Sequence, residues 1–477
     1  MAEGSSRYIA IKRETVENTA PSGAYQKYRT TGGSGIMNER SSITSNEIRD
    51  DRMVSVHRLG TNQPNASIPI EFSWETFDEM LEGALGSDWT ADYALTETVT
   101  ITAAGDTIIL EDNSSWTDKG LAAGDYLIVR NSDSDDGIYV VNAFSTTTGT
   151  NDTVSVYAAD GSSAVTFTGS TTDEVNFEGG VYGGSIDTTG NTITVSATNK
   201  TFTAASAVFG DIRVGDAVYF TNFTNAGNNG YHVVTTATDT VLTFSGSTLT
   251  NETQSTNTVE FAAYGAQVTV GSDLPTFTVE EGFTDVTEYH YMTGTKVSTF
   301  SMSIQPDAIV TGEVALQGQQ YSGFSATPVS GSTTAQTTTD VFDSYTGSLY
   351  FGSDLQCVIT GMDFTLENNL NRRYALMQQN PCSIGEGRSI VTGTVNAFFP
   401  NSDLADNFDA ESLFEVRIQL QDVSGNSYTF GWPRLKFTSD SRDVTENDVT
   451  ESFGFQALGG DATLMNMYVR KQPAVPS

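Results

Sequence analysis

Basic residues are scarce in this chain. Lys and Arg number 23 against 59 Asp and Glu, a net charge of −36 over 477 residues. That balance argues against a nucleic-acid binder of the usual kind, because phosphate contacts need Lys and Arg. Cysteine is nearly absent. Cys357 and Cys382 are the only two, with no CxxC or other metal spacing and too few for a disulfide framework. Two reduced thiols in or near a core are expected. The three histidines, His57, His232 and His290, lie far apart, and no GxSxG, GxxxxGK[ST] or HExxH motif accompanies them. No catalytic residue, cofactor or metal is assigned, and the chain is read as not an enzyme. No apolar run approaches the ~20 residues of a membrane-spanning helix, so a soluble chain without membrane contact is expected. The start, Met-Ala-Glu-Gly-Ser-Ser-Arg, lacks the apolar region of a secretory signal.

What is present reads as β structure. The chain is 38% hydrophobic and 10% aromatic, too rich in core-formers for a disordered acidic chain. Its 44 glycines and 11 prolines, with abundant Thr, Ser, Val and Asn, suit strands joined by many turns. Arg7–Lys12 and Met53–Leu59 read as strands, and Ser67–Phe72 places Ile68, Ile70 and Phe72 on one face. The period then changes. Phe77, Met80, Leu81, Ala84 and Leu85 fall at helical spacing, predicting a helix over Glu75–Leu85. Ser73 is its expected N-cap and Gly86 its C′ stop, with Asp78, Glu79 and Glu82 on a solvated outer face.

From about 88 to 275 the composition shifts, and residues 90–272 hold 21 acids and only 4 bases. A repeat lies inside. Leu121-Ala-Ala-Gly124-Asp125-Tyr-Leu-Ile-Val resembles Ile212-Arg-Val-Gly215-Asp216-Ala-Val-Tyr-Phe, and Gly137-Ile-Tyr-Val-Val resembles Gly230-Tyr-His-Val-Val. Upstream, Asp106-Thr-Ile-Ile is matched to Asn191-Thr-Ile-Thr. Two small β modules are expected, about 90–182 and 183–272, with His232 an ordinary strand residue. The loop Asn131-Ser-Asp133-Ser-Asp135-Asp136-Gly137 alternates acids as Ca²⁺ sites do. However, Asp136 stands where the EF-hand needs Gly, and the second module's loop has no carboxylate, so an exposed turn is expected.

A second duplication lies outside this insert. Ile68, Ile70 and Phe72 precede one helix. Val395, Ala397 and Phe399 precede another containing Leu404 and Phe408, with Pro400 and Ser402 at its start, at an offset of 327. Val310-Thr311 and Gln317 match Val449-Thr450 and Gln456 at an offset of 139. The difference, 188, equals the length of 88–275. The expected division is a split first copy (1–87 and 276–324) around the insert (88–275), a Ser/Thr-rich linker (325–340), and a second copy (341–477).

Three stretches carry a resemblance: Ile68-Pro-Ile-Glu-Phe-Ser-Trp74 running into its helix; Phe364-Thr-Leu-Glu-Asn-Asn-Leu-Asn-Arg372-Arg373 followed by Gly393–Phe399; and Ser452-Phe-Gly-Phe-Gln-Ala-Leu-Gly-Gly-Asp461. They resemble the siphophage tail tube (major tail) proteins, in the long form with a duplicated tube domain. The insert's modules look like those of other phage tail proteins, with a flagellum-tropic phage as a suggested source. The resemblance implies a mainly β fold: duplicated tail-tube β-sandwich domains with flanking helices, carrying the two inserted β modules. It implies a structural virion protein that assembles with itself into stacked rings. Trimeric rings with pseudo-sixfold symmetry are expected, with hexameric rings as the alternative. The further implied partners are tail terminator and tail tip proteins, a tape measure protein in the bore, and genome DNA in transit without tight binding. Assembly would take place in the host bacterial cytoplasm.

A ring of three chains would carry a formal charge of −108, three times −36, and an acidic bore repels DNA. The scarce bases then become candidates for contacts between rings: Arg40, Glu47, Arg49, Asp50, Asp51 and Arg52 in one loop, and Arg372 and Arg373 in another. Two other classes fit the sequence less well. A secreted or surface β-module adhesin, possibly calcium-dependent, lacks a signal and repeated carboxylate loops. A glycan-active enzyme would need a carboxylate pair, and none stands out among so many acids.

Overall fold

The computed structural model describes the chain outside residues 1–2, 34, 49, 51–52, 54–55, 103–105, 113, 133, 146–150, 166, 353, 356–357, 400–401, 447, 460–464 and 476–477. A first unit consists of β1 (Arg7–Arg13), β2 (Gly35–Thr44), β3 (His57–Glu71), helix α1 (Asp78–Leu85) and, after a long excursion, β4 (Phe277–Phe283), β5 (Glu288–Ile304) and β6 (Thr311–Gln317). The same order recurs as β7 (Gly347–Phe351), β8 (Ile359–Glu367), β9 (Ile390–Phe398), α2 (Asp403–Asp409), β10 (Phe414–Gln421), β11 (Ser427–Val444) and β12 (Val449–Ala457), closed by β13 (Tyr468–Gln472).

The pairing registers repeat as well. Ile68 of β3 pairs with Val314 of β6, and Val395 of β9 pairs with Phe453 of β12. Those pairs are related by the offsets 327 and 139. The register of β5 on β6 shifts between Val297 and Thr299, and that of β11 on β12 between Phe437 and Ser439. Each shift bends one long strand, so that its first half pairs with β4 or β10 and its second half with β6 or β12. One strand thereby serves two sheets, as bulges allow.

The second halves join into one sheet. Its order is β2–β3–β6–β5–β8–β9–β12–β11, eight antiparallel strands, four from each copy. One apolar cluster spans both copies and includes Phe72, Phe300, Phe364, Phe430 and Trp432. Phe364 lies 5.6 Å from Phe430 and 5.0 Å from Trp432, ring centre to ring centre.

Several local expectations change. The strand expected at Met53–Leu59 begins at His57; Met53 and Val56 are irregular, and residues 54 and 55 lie outside the described residues. Helix α1 starts at Asp78 after Phe77, not at Glu75. Glu75 has φ +55°, a left-handed conformation that cannot open a helix, and its N–H donates to the Tyr428 hydroxyl at 3.1 Å. Ser73 bonds to Thr76 Oγ1 instead of capping. Gly86 does close the helix in the left-handed region, at φ +77°. The acids of α1 are half-buried rather than solvated.

The excursion folds as a second sheet system of thirteen strands. Ala94–Thr102, Thr107–Leu110, Thr153–Ala158, Gly137–Ser145, Tyr126–Arg130 and Ser170–Asp187 pair in that cyclic order, a closed six-stranded barrel. A second ring runs Ile193–Ser196, Thr201–Ala204, Val241–Ser245, Gly230–Ala237, Ala217–Thr221 and then Thr258–Tyr264. Glu252–Gln254, just before that last strand, pairs back onto Ile193–Ser196 and closes the ring. Closure leaves no free edge among the described residues of either barrel. Topologically, Thr107–Leu110 corresponds to Thr201–Ala204 at offset 94, so the match to Asn191–Thr194 was one strand out. The boundary expected at 182/183 falls inside strand Ser170–Asp187, whose end pairs with Thr258–Tyr264.

Candidate functional site

In the eight-stranded sheet the side chains alternate. Ile68, Ile70, Phe300, Met302, Phe364, Leu366, Val395 and Phe453 face the core. The opposite face carries Ser67, Thr299, Ser301, Thr365, Thr392, Thr394 and Ser452, with the acids Glu39, Glu71, Glu313, Asp363, Glu367 and Asp443. Two lysines fall on it as well, Lys296 opposite Gln317 and Lys436 opposite Gln456, and each is held by a carboxylate, Glu386 at 2.6 Å and Glu411 at 2.5 Å. Six carboxylates against two lysines that are already paired leave this face anionic, and local bonds leave it so: Ser67 Oγ donates to Glu313 at 2.6 Å and Gln305 to Asp363 at 3.2 Å.

The outermost strands of the sheet are β2 and β11. Along β11, Thr438–Val444 are all exposed. Arg442 Nε donates to Glu451 at 2.7 Å and its guanidinium covers Phe399 at 4.2 Å. Along β2, Met37 is 43% exposed. The Ile36 N–H donates to Glu281 at 2.9 Å, and Glu281 also holds Arg7 at 2.5 Å and lies 2.9 Å from His290 Nε2. Burial alone would raise Glu281, but His290, the Ile36 N–H and Arg7 together hold it below the usual carboxylate range.

An ion cluster around the buried Lys471 ties the parts together. Lys471 of β13 sits 2.7 Å from both Asp78 of α1 and Asp92 at the entry to the barrels, above the Trp89 ring. The Tyr428 hydroxyl donates to Asp78 as well. Burial lifts the Asp78 carboxyl above its ordinary value against the pull of Lys471. Burial also pushes Glu82 up to about 7. The second barrel rests on the second copy: Arg417 donates to the Val214 carbonyl at 3.1 Å, and the Ala217 N–H donates to Gln472 at 2.9 Å.

The candidate contact residues do not form one cluster. Arg372 is half-buried and spent within the chain, on the Pro64 carbonyl at 2.5 Å and Asn65 at 2.8 Å. Arg373 is exposed on a short hairpin (Asn371–Arg373 with Ser383–Gly385). That hairpin's tip reaches Arg40, whose guanidinium lies 3.4 Å from Gln379 and 3.1 Å from the Gly60 carbonyl. Glu47 and Asp50 are exposed; Arg49, Asp51 and Arg52 lie outside the described residues. The 325–340 stretch is laid on the first copy, where Thr333–Thr334 pair with Tyr25–Gln26.

The remaining chemistry is structural. In the Asn131–Gly137 loop, Asp133 lies outside the described residues. Asp135 accepts the Thr168 N–H at 2.7 Å and Asp136 the Ser132 N–H at 2.7 Å. Among the described residues no group of three or more His, Cys, Asp or Glu is placed to hold a metal. His232 is buried in its strand beside Phe202 and Phe244, and burial lowers its pKa. Cys382 is exposed, not near a core, and Cys357 lies outside the described residues. No helix among the described residues is long and apolar enough to cross a membrane.

Sequence reasoning expected acids in the bore but did not find which strands carry the anionic face, and it missed the open edges. A signal was there: Ser298–Ile304 alternates polar and apolar residues, whereas its counterpart at offset 140, Thr438–Val444, carries Asp440 and Arg442 at the apolar places.

No curated protein matches the chain. The family described as phage tail tube protein matches it twice, over residues 4–248 and again over 234–457. The two matches take in both copies of the sheet-forming unit, and the chain belongs to the phage tail tube protein family.

Proposed function

We propose that this structural virion protein self-assembles into rings of three chains with pseudo-sixfold symmetry, stacked into the hollow, non-contractile tail tube of a siphophage. The tube is the conduit for genome DNA. The observation that carries this is the eight-stranded sheet, continuous across both copies, with an anionic outer face. Three such sheets supply 24 strands. At ~4.8 Å spacing and ~40° tilt these close into a barrel of roughly 48 Å backbone diameter, wider than a DNA duplex. The anionic face lines the bore. A polyanion slides past carboxylates, whereas each bore-facing Lys or Arg would make a phosphate contact and release counterions, holding the DNA.

The division of labour follows. Residues 1–87 and 276–324 form one wall unit and 341–477 the other, joined by 325–340. The barrels of 88–275 decorate the outside, since so large an insert would block the bore. Exposed Glu47, Asp50 and Arg373 reach towards the next ring, with Arg40 near them. Tape measure protein fills the bore before ejection, and terminator and tip proteins cap the tube ends.

A gel-shift assay of assembled tubes with duplex DNA at about 10 mM salt tests the bore, since screening is then weakest. Free DNA is expected. Tight, salt-sensitive retention would mean a basic wall and contradict the proposal.

A further inference from the structure

The barrels and the wall units present opposite kinds of surface. On the wall units large apolar side chains stand in the open: Ile48 is 99% exposed, Met377 95% and Leu376 87%, and Met53 and Leu59 are exposed as well. Among the described residues of 88–275, no Val, Leu, Ile, Met, Phe, Tyr or Trp is exposed. The largest of them fill the barrel cores, around Trp116 and Phe177 in the first and Phe202 and Phe220 in the second. The exposed charges are nearly all of one sign. Between 90 and 272 nine described carboxylates are exposed, among them Asp118, Asp160, Glu174, Asp211 and Asp239, against one base, Lys200. The other three bases are held by acids: Lys119 by Glu97 at 2.6 Å, Arg130 by Glu178 at 2.9 Å, and Arg213 at 3.5 Å from Glu415.

Resting on the reading above that sets the barrels outside the tube, we propose that they form a spacer coat. Their function is to hold the walls of neighbouring tubes apart, by bulk and by like charge, so that tails stay dispersed. Recognition surfaces are built on apolar anchors, basic patches or open strand edges. The described barrel surface offers hydroxyls, amides and carboxylates on closed sheets instead, a surface that water solvates and that repels its own copies.

The magnitudes suit that role. With 21 acids and 4 bases over 90–272, a ring of three chains carries −51 on its barrels, three times −17. Like charge alone acts over only about 8 Å at physiological ionic strength. A six-stranded barrel adds a standoff of roughly 20 Å with its side chains, beyond the reach of any apolar contact between walls. The coat is also fixed in place. Thr90 and Gln267 exchange backbone hydrogen bonds at 2.9 and 3.2 Å, and the Gly271 N–H donates to the Leu85 carbonyl at 2.8 Å. Gln419 of the second wall unit donates to the Gly215 carbonyl of the second barrel at 3.3 Å. Parallel filaments multiply a weak attraction ring by ring along their length, and a repulsion repeated at every ring opposes it in the same proportion.

The test is bundling of assembled tubes of the full chain in a Mg²⁺ titration, read by low-speed sedimentation and negative stain. Asp118→Lys, Glu174→Lys, Asp211→Lys and Asp239→Lys are combined in one chain. All four side chains are exposed, so the barrel cores are untouched, and the barrel charge falls from −17 to −9. The Mg²⁺ concentration that pellets half of the tubes should drop by roughly three-fold or more, because less charge is left to screen. A second chain with Asp118→Asn, Glu174→Gln, Asp211→Asn and Asp239→Asn, at −13, should fall between the two. Tubes of both variants that bundle at the parent's Mg²⁺ concentration would overturn the coat and leave the ring reading standing. Absence of tubes from the unmodified chain, or barrels lying inside the bore, would overturn both. If neither variant assembles, small-angle X-ray scattering from concentrated unmodified tubes decides. Their spacing should widen as salt falls from about 200 to about 10 mM, and a spacing that ignores salt would sink the inference.

Discussion

Strands β5 and β11 are the same part of a repeated unit, with the same register shift at the same place, yet their surroundings differ. The second half of β5 is covered by β8 and presents Phe300 and Met302 to the core, both at most 2% exposed. The second half of β11 lies open and presents Asp440 and Arg442 at the matching places. Between β8 and β2 the contrast repeats: Phe364 and Leu366 against Ile36 and Asn38. A seam made once, during folding, can be apolar, because it is never exposed in the finished chain. An edge that waits in solution cannot be, since an apolar strand edge templates aggregation. The duplication fixes backbone geometry while the side chains separate a permanent joint from an edge kept soluble.

The largest effect expected from breaking this contrast is at the apolar seam. Phe364→Ala should cost about 3–5 kcal/mol in chemical denaturation of the single chain, as a large-to-small change at a fully packed ring. Asn38→Ala, nearby on the open edge, should change the same stability by under about 1 kcal/mol. A comparable loss at both sites would erase the distinction.

Next comes the ion cluster that binds β13 to α1 and the barrel entry. Lys471→Met should destabilise by about 3 kcal/mol, because Asp78 is left buried without its cation. Thermal unfolding checks this. Adding Asp78→Asn should recover part of the loss, and no recovery would show that the pair does not act through charge.

The smallest effect belongs to the barrels. Burial pushes Glu260 up to about 7 from its ordinary 4.5. A carboxyl raised in the folded state binds its proton more tightly there than when unfolded. Its contribution is therefore full below pH 4.5 and is lost as pH rises towards 7. Glu260→Gln should match the parent at pH 4 and exceed it at pH 8, by on the order of 1 kcal/mol after allowing for solvent screening. Melting curves at the two pH values measure it.

Much of the repeated unit was legible because strand patterning has a period of two. Ile68, Ile70 and Phe72 against Val395, Ala397 and Phe399 placed the duplication, and the pairing registers follow the same offsets. Short-range detail was less legible. Ser73 looks like a cap, but Trp74 and Tyr428 hold the chain in a different turn, and that contact joins residues more than 350 apart. Most barrel strands are four to nine residues long in a Thr-rich background, so a short match slipped by one strand at Asn191. The pairing of β5 with β8, from different copies, leaves no local mark. Arg372 looked free to reach another ring, but its hydrogen bonds to Pro64 and Asn65 depend on a fold-back invisible in the sequence.

The central claim is that one chain supplies two of six equivalent wall units. Cryo-electron microscopy of assembled tubes, reconstructed without imposed symmetry, tests it most directly. The expected result is three chains per ring, with threefold symmetry overall, sixfold pseudo-symmetry in the eight-strand repeats of the wall, and three pairs of outer barrels. Six chains per ring with true sixfold symmetry would contradict the account.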